Sequence, residues 1–232
     1  MAAKKVSTFA VLVLFALQIP LQASEAQVTL RVYNAASVPS VTLDEAEQQV
    51  GYIFRAAGVP IRVLNCLVEK SAGPAATVCP LVLGPNDLVV RLVPSGKSSS
   101  ETFGLAFLPA EGQGRYSDVF YGPVIEMRQQ FCGRVPLDEG RLLGHLIAHE
   151  VGHLLLGSNS HSSGGIMVAR WHARELELLD AGKLLFTPEQ SQKLRANARI
   201  LVAETQGPEL PGYGVYPRSF ATSQMRYMPE MK

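Results

Sequence analysis

Residues 142–167 read LLGHLIAHEVGHLLLGSNSHSSGGIM, and within them His149-Glu150-Val151-Gly152-His153 forms an H-E-x-x-H. On an α-helix, residues four apart stack on one face. A helix through this stretch therefore offers the His149 and His153 imidazoles to a single metal ion. The Glu150 carboxylate, one residue on from the first ligand, can reach a water on that ion. The flanks require a buried helix, because Leu142, Leu143, Leu146, Ile147, Val151, Leu154, Leu155 and Leu156 surround the histidine stripe with apolar surface. Asp138 is placed to cap its start and Gly157 to stop it. With five histidines in 232 residues, the motif arises by chance in under about 1 % of such chains. The spacing points to a zinc site rather than to an amphipathic helix that happens to carry two histidines.

Catalytic zinc takes three protein ligands and keeps one position open. In this chain His153 is followed by Gly157, then His161, then Gly165-Ile166-Met167. The series resembles the metzincin zinc peptidases, whose pattern is H-E-x-x-H-x-x-G-x-x-H followed by a Met-turn. The resemblance makes His161 the third ligand and Gly157 the residue that leaves the helix with positive φ. Met167 becomes the apolar floor beneath the ligands. The match departs from the pattern in spacing: the third histidine comes eight residues after the second instead of six, and the glycine one residue late. Ser158, Asn159, Ser160, Ser162, Ser163 and Gly164 are turn-tolerant types that can absorb the difference. A carboxylate from the following segment, Glu175 or Glu177, is the competing third ligand, as in the gluzincin relatives. His145 lies one turn before His149. A helix does not easily bring three successive turns to one tetrahedral ion, so His145 is expected to pack beside the site. His172 is expected at the surface.

The resemblance implies an α+β fold: a metzincin-like single domain whose small, mixed, twisted sheet packs on the active-site helix, with a helix at its C-terminal end. It also implies a zinc-dependent endopeptidase with one catalytic Zn2+, a peptide or protein substrate, and a zinc-bound water activated by Glu150. In the family an edge strand ahead of the active-site helix pairs with extended substrate. Here that would be the segment around Phe107 or residues 119–121. Some metzincins place a tyrosine two residues after the Met-turn methionine; Ala169 stands there in this chain. Two other readings share the motif, a non-enzymatic zinc-binding or interaction protein and a zinc hydrolase of a non-peptide amide. The intact Glu150 speaks against a purely structural site, which needs no base and is closed by four protein ligands.

The rest of the chain is consistent with one domain. Lys4 and Lys5 precede an apolar run from Phe9 to Leu21, and Ala23, Ser24 and Ala26 follow. This is the order of a secretory signal peptide over residues 1–26, and the run is shorter than the about 20 residues of a membrane span. The expected product is an exported protein, secreted or periplasmic, with no stable membrane insertion after cleavage. Export favours a disulfide between Cys66 and Cys79 across a short loop, contributing about 3 kcal/mol on the chain-entropy model; Cys132 is left odd. Residues 27–206 form the catalytic domain and residues 207–232, rich in Pro, Gly, Tyr and Met, a flexible tail.

Alternation predicts strands at 28–34, 61–65, 87–93, 104–108 and 117–121. A first helix opens near residues 41–44 with Thr42 or Asp44 as its cap, and a last one follows Thr187 with Pro188 at its first position and Gln190 completing a capping box. The net charge of +1 with interspersed signs indicates no nucleic-acid partner. Oligomeric state is not legible.

Overall fold

The computed structural model describes residues 27–66, 79, 82–95, 103–110, 112–131, 133–134 and 136–203. The proposed signal peptide at 1–26, Cys132 and the tail at 207–232 lie outside them. The described chain is α+β. Five strands, β1 (Val28–Asn34), β2 (Ile61–Cys66), β3 (Asp87–Val93), β4 (Gly104–Phe107) and β5 (Tyr116–Phe120), form one sheet in the order β2-β1-β3-β5-β4. All neighbouring pairs are parallel except β4 with β5. Five helices accompany the sheet: α1 (Ser40–Ala56), α2 (Tyr121–Gln130), α3 (Glu139–Leu156), α4 (Ala173–Asp180) and α5 (Pro188–Ala203).

The core lies between one face of the sheet and the pair α1 and α3. Leu30, Val32, Leu88, Val90, Leu92 and Val119 supply the sheet side, all at most 1 % exposed. Ile53 and Phe54 of α1 and Leu142, Leu143, Ile147, Leu154 and Leu155 of α3 meet them. Alternation along each strand puts these residues on one face. The two helices approach closely because α3 carries glycines where they touch. A methyl group on Gly144 would lie 2.6 Å from Gln49 Cβ and 2.7 Å from the Ala46 carbonyl oxygen.

On the other face, Arg31 pairs with Asp87, both buried, and Arg91 binds Asp118 through two hydrogen bonds of 2.9 and 2.8 Å. Cys66 and Cys79 are joined in a disulfide with Cα atoms 5.4 Å apart, as their spacing suggested. No helix among the described residues is long and apolar enough to cross a membrane.

The structure corrects the sequence reading at three points. The strand expected over 117–121 ends at Phe120, and Tyr121 opens a helix that alternation did not reveal. Gly122 and Pro123 in its first turn read as strand-ending signals, yet proline is tolerated there because its missing N–H has no helical acceptor. The strand expected to run to Leu108 stops at Phe107. Helix α1 starts at Ser40, with Pro39 at the cap position and no side-chain cap from Thr42 or Asp44. The other helix ends follow the sequence. Asp138 accepts the Arg141 N–H at 2.7 Å. Thr187 and Gln190 bond reciprocally, at 2.9 and 3.3 Å, ahead of α5.

Candidate metal centre

Helix α3 brings His149, Glu150 and His153 into the interior, at 7 %, 5 % and 4 % exposure. It ends at Gly157, whose φ of 63° is the left-handed conformation that suits a residue without Cβ. From there the chain turns back over the helix. The loop is pinned by Ser162, whose N–H donates to the Met167 carbonyl at 2.9 Å and whose hydroxyl donates to the Gly164 carbonyl at 2.8 Å. The return sets His161 over the two helical histidines, with ring centroids 5.4 Å from His149 and 4.9 Å from His153. One ligand atom from each of the three residues lies within 4.8 Å of the others.

Backbone contacts fix which nitrogens face inward. His149 Nδ1 is 2.7 Å from the Ile166 carbonyl oxygen and His153 Nδ1 is 2.8 Å from that of Ser158. A carbonyl can only accept, so each Nδ1 carries the proton and each Nε2 presents a lone pair. The two Nε2 atoms are 3.1 Å apart. Two lone pairs at that separation repel unless a proton or a cation lies between them. The spacing is close to the roughly 3.3 Å between neighbouring ligands of tetrahedral zinc with Zn–N bonds of about 2.0–2.1 Å. The donor set therefore fits a metal ion, and the carbonyl anchors are contacts of the kind that orient imidazoles for metal binding.

Met167 is buried against helix α3. A Cβ on Gly152, within the H-E-x-x-H, would come 2.7 Å from the Met167 sulfur and 2.8 Å from Phe186 Cε1. The motif's glycine thus makes room for Met167 and Phe186. Glu175 does not join the histidines, since its Oε2 accepts the His172 N–H at 2.9 Å at the start of α4. Among the described residues, the metal-competent cluster is His149, His153 and His161, without Glu175 or Glu177. His145 is fully buried; its Nδ1–H donates to the Arg141 carbonyl at 2.8 Å and its ring meets Trp171 edge-on. His172 is exposed.

The histidines and Glu150 line a cleft of about 350 Å³ together with residues 103–106, Leu146, Asn159, Val168, Ala169 and Trp171. Among the described residues of its lining, Glu150 and the histidines are the ionisable side chains. Sequence reading had not singled out Gly104 or Trp171. A glycine inside a strand does mark close approach by another group, but nothing local says which group approaches.

Burial governs the charge states. It pushes the Glu150 carboxyl up to about 8 and lowers His145 and His149 to about 4; His153 is lowered for the same reason. These shifts have opposite consequences for folding. The unfolded histidines, near 6.5, bind protons that the folded ones refuse, so stability rises as pH climbs from about 4 to 6.5. Glu150, and Glu47 raised to about 7 by burial, hold protons that the unfolded chain releases near 4.5, so their contribution fades as pH rises to about 8. Three histidines outweigh two carboxyls below about 6.5, and the carboxyls act alone above it. Chelator-treated protein should be most stable near pH 6.5, measured as thermal midpoint from pH 4 to 9. A profile that climbs steadily through pH 8 would contradict this.

No family model matches the sequence, and no curated protein matches it. Among solved structures, the fold is similar to a zinc-dependent peptidase from Methanocorpusculum labreanum, at 16 % identity and a TM-score of 0.45, covering 71 % of this chain and 99 % of that one. It is also similar to archaemetzincin from Methanopyrus kandleri, at 18 % identity and a TM-score of 0.46, covering 77 % of this chain and 99 % of that one.

Proposed function

We propose that the chain is an exported zinc-dependent endopeptidase. The observation that carries this reading is the convergence of three histidine nitrogens beside the Glu150 carboxyl in an open cleft. His149, His153 and His161 would hold one zinc ion, which when bound lowers the pKa of water toward about 7 and polarises a carbonyl. Glu150 takes the proton of the attacking water and hands it to the departing amine. Its buried, apolar surroundings favour this traffic, because they raise the carboxyl toward working pH, while a cation nearby stabilises the ionised form that must accept the proton.

The substrate lies along β4. Of the two segments considered for strand addition, β5 is flanked by β3 and β4, whereas β4 pairs only with β5 among the described residues. An extended peptide bonded to β4 would pass directly over Glu150 and the histidines. The described walls of the cleft, with Phe103, Leu105, Leu146, Val168 and Trp171, suit apolar or neutral side chains. Export is supported by the charged, apolar and small-residue order of residues 1–26 and by the Cys66–Cys79 disulfide.

Metal analysis with peptide-library cleavage tests the reading. One zinc per chain and internal cleavage that a chelator stops and zinc restores are the expected results. Zinc bound without cleavage of any peptide would favour the binding-protein alternative.

A further inference from the structure

Strand β4 and helix α3 meet where the strand has no side chain to offer. Gly104 pairs with Val119 and Ala106 with Ser117. Val119 and Ala106 are buried against the core, so Gly104, two residues from Ala106, stands on the same inward face. A methyl group on Gly104 would lie 2.6 Å from Cγ, Cδ and Oε1 of Glu150. That is far inside the about 3.5–4.0 Å of favourable carbon contact. Glu150 is only 5 % exposed, and among the described residues no donor holds its carboxylate. Among the described residues, its packing against the strand is what locates it.

We propose that Gly104 is the positioning residue for Glu150. The missing side chain leaves the slot that Glu150 fills, and the slot keeps the carboxyl in the cleft it shares with His149, His153 and His161. The catalytic consequence rests on the peptidase reading; the structural one rests on packing alone. An added methyl group meets a long side chain before it meets rigid backbone, so the glutamate yields rather than the strand.

The test is Gly104→Ala in the zinc-loaded full chain, examined by crystallography and by peptide hydrolysis. The expected structure keeps β4 and the three histidines in place and shows the Glu150 carboxyl displaced. The expected rates show kcat lowered by about 100-fold, the scale of a misplacement near 1 Å, with KM changed less than about twofold. In a Glu150→Ala background the same glycine change should alter residual kcat by less than about twofold, because the group it displaces is gone. A carboxyl still in its place beside a shifted β4 would overturn the proposal. So would full kcat in Gly104→Ala, or losses that multiply in the double variant. If Gly104→Ala fails to fold, Glu150→Ala combined with it should fold; failure of that rescue also overturns the proposal. A parent protein that cleaves no peptide, together with a displaced carboxyl in the variant, would sink the peptidase reading and leave the positioning intact.

Discussion

Glu150→Ala is expected to lower kcat by about 10²–10⁴-fold, the range that a positioned general base contributes, while the protein keeps its zinc. The two halves of that expectation come from different parts of the site. The metal-binding half is carried by His149, His153 and His161, whose nitrogens converge without help from the carboxyl. The proton-transfer half is carried by Glu150, buried in the same cleft. Truncation removes a carboxyl that burial raises to about 8, so the fold should not suffer from losing it. Glu150→Gln keeps the shape and removes the base, and it should be nearly as inactive. Zinc content by elemental analysis and kcat on one peptide check the pair. Hydrolysis at the parent rate in both variants would remove Glu150 from the mechanism.

The centre of the fold is legible in the sequence because its signals are local and agree with each other. Apolar residues at helical spacing, Asp138 before the helix and Gly157 after it predict α3, and the structure realises both caps. The alternating segments predict all five strands to within one residue. Helix α2 escapes because only Tyr121, Pro123, Val124 and Met127 of its ten residues are buried, too few for a helical period, and Gly122-Pro123 imitates a turn. The third histidine is only half legible. Loop length leaves His161, Glu175 and Glu177 all within reach, and the placement of His161 beside the helical pair and of Glu175 away from it goes with hydrogen bonds that no spacing rule contains, those pinning Ser162 to Met167 and Glu175 to His172. The contact between Gly104 and Glu150 joins residues 46 positions apart, and only the assembled sheet brings it about.

Replacing the histidines one at a time should separate the helical pair from the loop ligand. Structural zinc sites with four ligands bind with about 10–16 kcal/mol, so one ligand carries roughly 2.5–4 kcal/mol, or about a hundred- to a thousandfold in affinity. His149→Ala and His153→Ala should each lose at least that much. Each also leaves a carbonyl, buried at Ile166 and partly buried at Ser158, without its imidazole donor, which adds the cost of an unpaired acceptor. His161→Ala removes a nitrogen from an exposed residue with no such buried partner left behind. Its thermal midpoint in chelator should therefore match the parent's, while zinc affinity falls by about a hundred- to a thousandfold and hydrolysis falls with it at limiting zinc. Competition with a chromophoric chelator reads the affinities, and the single tryptophan, Trp171, reports loading by its fluorescence, since it lines the same cleft and meets His149 edge-on at 6.1 Å. Zinc affinity unchanged in His161→Ala would break the three-histidine assignment and return the third position to a carboxylate.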